Sequence, residues 1–316
     1  MPSTRTISQV EVEVQDLLKT YSQELEKVVT NKYEPYAYFK APNEHPHKKI
    51  IDGKKIPMLR GNPNLLLYNL PEQNGKFLTS CEDFLCIEQN AISNNMTVIL
   101  GTSGCGKTRL CLELLCRDYG LYFVTESWNL GSDDLELATE WAKDNIDIKP
   151  EPEPDVAKNL AECALWSCIA GRLSLLKYLF CMAKERNSTM EPKSWLTFQL
   201  SNRLISELSI IFRKCDATHL KKHCLSIMED INSNLKGNIF PIIYDEAQSH
   251  TSCLVNKFPS YNDKNVMRPF FTVAVKTMTT LRQACAKVIV CITGSGLSLL
   301  EAKDLASSNV AKEGSL

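Results

Sequence analysis

Residues 101 to 108, Gly-Thr-Ser-Gly-Cys-Gly-Lys-Thr, place Gly101 and Gly106 around four residues and follow them with Lys107 and Thr108. A loop that wraps a phosphate chain turns its backbone N–H groups inward, through dihedrals that glycine accepts and residues with a Cβ resist. In that arrangement Lys107 reaches the β- and γ-phosphates, and the Thr108 hydroxyl serves Mg²⁺. A helix starting near Thr108 then points its positive end at the anion. The expected nucleotide-contacting stretch runs through Gly101, Thr102, Ser103, Gly104, Cys105, Gly106, Lys107, Thr108 and Arg109. The plainer alternative is a glycine-rich turn between strand and helix. It is disfavoured because the apolar run 97–100 precedes the loop and the apolar helical pattern 111–115 follows it.

Holding a nucleotide is not hydrolysing it, which needs an acidic site on another strand. The run 239–244 is apolar and β-rich, and it ends in Asp245-Glu246. Asp245 is expected to hold the Mg²⁺ shell, and Glu246 to polarise the attacking water. Pro241 removes one ladder donor and belongs near the start of that strand or at a bulge. A third apolar run, 288–292, ends in Thr293-Gly294-Ser295-Gly296, so Thr293 or Ser295 is the candidate γ-phosphate sensor, against an ordinary strand-to-helix turn. Arg268 and Arg282, both between these two strands, are the candidates for neutralising transition-state charge. For Arg268 the alternative is an anchor for a helix start ahead of Pro269.

These residues need an α/β frame to bring them together. Strands over 97–100, 122–125, 239–244 and 288–292 are expected to be parallel, with 288–292 between the phosphate-loop strand and the acidic one. A helix over 5–30 carries Val10, Val14, Leu17, Tyr21, Leu25 and Val28 on one stripe. Residues 31–64 read as an exposed loop with Lys48, Lys49, Lys54, Lys55 and Arg60, and 1–60 as an N-terminal helix plus a basic polar linker. A helix is expected over 133–145, and 149–155, Lys-Pro-Glu-Pro-Glu-Pro-Asp, must be extended. A large helical insertion then follows over 156–234, with breaks near 187–192 and Cys215.

Composition sets broad limits. The chain has 316 residues, is 44% hydrophobic and has a net charge of −1, so no global field points to nucleic acid or to a membrane. Nucleic acid is a minority expectation, confined to the lysine cluster. Thirteen cysteines without a C-x-x-C pair point to a reducing compartment. Cys105, beside Lys107 and a helix start, is a thiol prone to oxidation. His219 and His223, with Cys215 and Cys224 nearby, are better read as a solvated helix than as a metal clasp. No uninterrupted apolar run reaches 18 residues and charges break the N-terminal segment, so neither a transmembrane helix nor a signal peptide is expected and the location is intracellular, cytoplasmic or nuclear. The guanine-reading pattern N-K-x-D is missing from Asn256-Lys257-Phe258-Pro259, which favours ATP over GTP, and Glu246 argues against a small-molecule kinase.

Taken together, "PNLLLYNL", "GTSGCGKTRLCLELLCRDYGLYFV", "IYDEAQ", "RPFF" at 268–271 and "ITGSGLSL" resemble the P-loop NTPase module of fungal Crinkler-type proteins. These are related to the retrotransposon hot spot proteins of trypanosomes, within the ATPase lineage that contains the AAA and STAND groups. The resemblance covers roughly residues 60–316 and implies a P-loop NTPase domain over 61–316. It also implies Mg-dependent ATP hydrolysis, with the 101–108 loop as Walker A and Asp245-Glu246 as Walker B. Partners implied are a homo-oligomer or a nuclease-like C-terminal domain. The ubiquitin-like header of secreted Crinklers is not recognisable in 1–60, and the family's fifth strand and arginine-bearing lid are expected to be missing. Two functions follow as expectations: an ATP-hydrolysing switch, or a nucleotide-binding interaction module with little turnover.

Overall fold

The computed structural model describes residues 5–70, 72–73, 76–77, 96–125, 130, 132–201, 203–235, 239–260 and 265–294. Its centre is an all-parallel sheet of four strands, β1 (Met96–Leu100), β2 (Leu121–Val124), β3 (Phe240–Asp245) and β4 (Val288–Gly294). The spatial order is β1-β4-β3-β2, so β4 lies between the strand before the glycine loop and the strand ending in Asp245, as expected. Gly294 pairs with Leu100, Ile292 with Tyr244, and Val124 with Asp245, which gathers the C-terminal ends of all four strands along one edge. Strands β2, β3 and β4 are buried throughout, as runs of Val, Ile, Phe and Tyr between two helical layers must be. Pro241 is the second residue of β3, where the missing donor does least harm. Its close approach explains Gly120, since a Cβ there would lie 2.1 Å from the Pro241 carbonyl oxygen.

Ten helices of the described residues surround the sheet: α1 (Ile7–Thr20), α2 (Ser22–Val29), α3 (Lys48–Gly53), α4 (Lys107–Arg117), α5 (Asp133–Ile146), α6 (Pro154–Glu185), α7 (Pro192–Ser201), α8 (Leu204–Phe212), α9 (Ala217–Asn232) and α10 (Phe270–Thr280). The insertion between β2 and β3 is therefore α5 to α9. Its breaks fall after Glu185 and after Phe212, as expected, with one more at Arg203 between α7 and α8. The 32-residue α6 is apolar enough, by length and composition, to span a bilayer. Its apolar window is 72% buried within the protein, so that surface already has partners in the core. A buried core helix passes the same test of length and composition, so it does not overturn the expectation of no transmembrane helix.

Two expectations are corrected at the N-terminus. The single helix over 5–30 is two helices, broken at Tyr21, where the Thr20 hydroxyl returns to the Leu17 carbonyl at 2.7 Å. The break lets Leu25, Val28 and Val29 join Val10, Val14 and Leu18 in the core shared with α6, α8 and α9. Leu18, rather than Leu17, is the fully buried member of the first stripe. Residues 31–64 are not one exposed loop either. They contain α3 and a small antiparallel ladder, Met58–Leu59 with Asn62–Pro63, and Lys48 is tied to Asp52 and to the Ala41 carbonyl.

The outer edge of β2 shows how the insertion and the sheet are joined. Trp195 Nε1 and Gln199 Nε2 donate to the Gly120 carbonyl at 2.8 and 3.1 Å, and Gln199 Oε1 accepts from the Tyr122 N–H at 3.1 Å. Ser132 Oγ accepts from the Val124 N–H at 3.1 Å and donates to the Tyr122 carbonyl at 3.3 Å. Side chains of α7 and of the α5 start thus supply the hydrogen bonds that a fifth strand would make. Arg172, fully buried on α6, holds both supports, donating to Gln199 Oε1 at 2.9 Å and to Ser132 Oγ at 3.3 Å. Its charge is met by Asp134 through two bonds of 2.8 and 2.7 Å, and it lies 4.5 Å from the centre of the Phe123 ring.

Removing one member of this pair leaves the other charge buried without a counter-ion. Arg172→Met should therefore lower stability by about 3–5 kcal/mol in denaturant unfolding, while Arg172→Met with Asp134→Leu should recover most of that loss. Equal losses in the single and double variants would show that the charge pair is not what Arg172 supplies.

Candidate functional site

The loop between β1 and α4 has the conformation its glycines allow. Gly104 and Gly106 sit at φ +80° and +94°, the left-handed region, and a Cβ at Gly101 would lie 2.6 Å from Cys105 Sγ. Gly106 is the N-cap of α4 and supplies no side-chain cap, and the first turn carries no acidic residue. No capping side chain satisfies the first N–H groups of α4. Lys107, only 8% exposed, donates to the carbonyls of Gly101 and Thr102 at 2.9 Å each, with Cys105 Sγ at 3.8 Å. The ammonium thus spans the loop from beneath, and Thr108, half-buried, follows it in the first turn of α4.

Asp245 ends β3 and is 1% exposed. Three donors from three directions hold its carboxylate. Tyr122 Oη on β2 donates at 2.9 Å, the Thr293 hydroxyl on β4 donates to Oδ1, and the Glu246 N–H donates to Oδ1 at 3.0 Å. Burial, and next the Asp245 charge, raise the Tyr122 phenol well above its ordinary pKa, so Tyr122 stays a donor at any working pH. The Thr293 hydroxyl is likewise committed to Asp245, which places the sensor candidate at the acidic strand end. Ser295 lies outside the described residues.

Glu246 has left-handed backbone dihedrals, φ 51° and ψ 36°, which is unusual for a residue with a side chain. Its carbonyl is gripped by the hydroxyls of Thr125 and Ser249, and its Oε2 accepts from Gln248 Nε2 at 2.5 Å. The 3₁₀ turn that follows, Ala247–Thr251, is pinned by His250. Thr139 gives its own proton to the Leu135 carbonyl at 2.7 Å, so it accepts from His250 Nε2–H at 3.3 Å, and Nδ1 accepts from Tyr244 Oη at 2.5 Å. Burial pulls the His250 pKa down to about 3, and the ring is neutral.

The remaining candidates are placed elsewhere. Arg109 is 9% exposed and uses four of its five N–H donors within the chain, on Glu113 at 2.7 Å and on the carbonyls of Leu66, Tyr68 and Asn69 at 2.8, 2.8 and 3.0 Å. Its side chain clamps the segment before β1 onto α4. Arg268 lies on a two-residue ladder, Met267–Arg268 with Phe258–Pro259, separate from the central sheet and directly before α10, whose N-cap is Pro269. Its Nε is buried without a hydrogen bond. Arg282 braces the start of β4 by donating to the Val288 carbonyl at 3.1 Å. His219 pairs with Asp216 at the α9 N-cap, and His223 packs against Phe212 with ring centroids 5.5 Å apart. Tyr122, Thr125, Gln248 and His250 were not singled out by sequence. The available signals were a tyrosine inside a buried strand and a run of polar residues just after Asp-Glu.

A neutral buried imidazole links stability to pH. The folded pKa of about 3 lies below the 6.5 of a free histidine, so the unfolded chain binds the extra proton and stability falls as pH drops from 6.5 towards 3. His250→Asn should flatten this limb by up to about 1.4 kcal/mol per pH unit relative to the unsubstituted chain, as read by urea unfolding from pH 7 to 4. Parallel limbs in the two proteins would mean that His250 is not the group responsible.

No family model matches the chain, and neither a curated protein nor a solved structure matches it.

Proposed function

We propose that this chain is an ATP-binding P-loop NTPase of the Crinkler-like type, binding Mg·ATP through residues 101–108 and turning it over slowly. The observation that carries the reading is the α4 N-terminus: left-handed glycines, no capping side chain, no acidic first turn, and Lys107 beneath the loop. Together these form a cradle for an anion of several charges. The strand order supports it too, because the loop opens at the C-terminal edge of the sheet, where α/β sheets bind their ligands, and Asp245 ends on that same edge. The resemblance to the family rests on the sequence motifs.

The donor set fits Mg²⁺, a hard cation that takes oxygen ligands and keeps several waters. Thr108 would offer its hydroxyl and Asp245 its carboxylate, and the ion would neutralise charge on the phosphates. Lys107 would neutralise the β- and γ-phosphates, and the α4 N–H groups would donate hydrogen bonds to the phosphate oxygens. Glu246 is the residue to orient and deprotonate water, which requires that its carboxylate exchange Gln248 for that water. Thr293 keeps Asp245 oriented. The second reading, nucleotide binding with little turnover, is favoured by the Gln248 bond on Glu246 and by the placing of Arg268 on a separate ladder. A positive charge at the transition state is worth roughly 10³–10⁵ in rate in P-loop proteins, and a neighbouring copy or another domain would supply it. An intracellular location, cytoplasmic or nuclear, belongs to the same proposal.

Mg·ATP at a hundredfold excess over Kd should stabilise the protein by about 2.7 kcal/mol, and Lys107→Ala should abolish most of that shift while leaving the ligand-free melting temperature within a few degrees. An undiminished shift in the variant would remove the phosphate assignment. In single-turnover assays Glu246→Gln should slow hydrolysis at least about a hundredfold without weakening ATP binding, as expected for a general base. Equal rates in the two proteins would favour the binding-only reading.

A further inference from the structure

Between the N-terminal segment, the segment before β1 and the start of α7 lies a groove of about 660 Å³, remote in sequence from the phosphate loop. Four tyrosines line it, Tyr33, Tyr36, Tyr38 and Tyr68, with Pro35 and Pro57 among them. Tyr38 is exposed and the other three are half-buried, so ring faces and edges are held in place by packing. Three lysines, Lys54, Lys55 and Lys193, stand on its lining against two carboxylates, Glu34 and Glu191, and all five are exposed. The wall bearing Tyr68 is fixed by Arg109, which holds the Tyr68 and Asn69 carbonyls. A groove of this kind, with fixed tyrosines and a basic margin, suits an extended proline-rich chain. Its rings pack on prolines, and the polyproline II form is ordered before it binds.

The chain itself carries such a segment. Residues 149–155, Lys-Pro-Glu-Pro-Glu-Pro-Asp, run from the connection after α5 into the first turn of α6 and are exposed except for Pro152, which is half-buried. The expectation that all seven are extended is corrected, because the helix begins at Pro154; Glu151 and Glu153 each precede a proline, which disfavours the helical region, and Glu153 sits at φ −54° and ψ 145°, in the polyproline II region. Lys257 ties one end of the segment to the body of the protein through Asp147 at 3.2 Å and Glu151 at 2.9 Å. The segment is thereby presented in a fixed shape, with Glu153 and Asp155 exposed. Three carboxylates against one lysine make it acidic where the groove is basic, and none of its residues lines the groove of its own chain.

We propose that the tyrosine-lined groove of one copy takes the acidic proline segment, residues 149–155, of a second copy. The contact joins two different surfaces, so it is head-to-tail and builds rings or open chains rather than a closed two-fold pair. It does not depend on the nucleotide reading, and the experiment below contains no nucleotide.

A fluorescent peptide of residues 147–157 should bind the full chain saturably in anisotropy titrations. Binding should be roughly tenfold weaker to the Lys54→Glu, Lys55→Glu variant, as two lost charge pairs imply. A charge swap then tests the assembly. In sedimentation velocity the wild type should gain mass with concentration. The Lys54→Glu, Lys55→Glu chain and a Glu153→Lys, Asp155→Lys chain should each stay smaller alone and associate when mixed. All four positions are exposed, and circular dichroism checks that each variant is folded. A peptide that does not bind, binding indifferent to the lysine changes, or swapped chains that fail to associate would each overturn the proposal. A single-stranded oligonucleotide that saturates the groove where the peptide does not would assign it to nucleic acid instead.

Discussion

A carboxylate that is 1% exposed must find in its surroundings the hydrogen bonds of the water it has lost, and Asp245 is such a group. Tyr122, Thr293 and the Glu246 N–H replace it, from β2, β4 and the turn after β3. These bonds join the C-terminal ends of three strands at one atom group, so the register of the sheet and the position of the carboxylate are a single constraint. A slip of one residue in β2 would turn Tyr122 to the other face and leave Asp245 short of a donor. The same constraint sets the left-handed turn at Glu246, whose strain is borne by Thr125, Ser249 and the His250 pin.

Two buried guanidiniums extend this order outward on opposite sides of the site. Arg172 links α6 to α7 and to the α5 start, and through them to the backbone of β2. Arg109 links α4 to the segment before β1. Each has an acidic partner on or near its own helix, Asp134 for Arg172 and Glu113 for Arg109, and each directs its other donors at uncharged oxygens. Planar, permanently charged groups with five donors suit this work, and a lysine in either place would satisfy fewer acceptors.

The parts of the fold that could be read from sequence are those specified locally. The glycines at 104 and 106 spell their dihedrals directly, and the strands stand out because parallel strands buried on both faces are continuous runs of Val, Ile and Leu. The order of the strands was not read locally: it was expected from the class of P-loop enzymes that place one strand between the phosphate-loop strand and the acidic one, and the sheet has that order. What was not legible depends on partners far away in sequence. Arg109 directly follows the loop motif, yet its carbonyl partners are 40 to 43 residues upstream. Tyr122 and His250 act through bonds to Asp245 and Thr139, 123 and 111 residues away, which nothing in the local pattern announces. Two misses were local instead. The break at Tyr21 interrupts a stripe whose periodicity continues through it, and residues 31–64 have the composition of a loop, with the six-residue α3 too short to show a period although it brings Lys48 to Asp52.

The hydrogen bonds that Trp195, Gln199 and Ser132 make to β2 have a consequence for how the chain reaches this state. Nearly eighty residues separate Gln199 from Tyr122. Until α7 docks, the outer row of β2 carries open N–H and C=O groups on an apolar segment, a template for a strand of any other chain. Synthesis from the N-terminus exposes β2 well before α7 emerges. Arg172, which holds Gln199 and Ser132 together, is the residue that closes this outer row once α7 is in place.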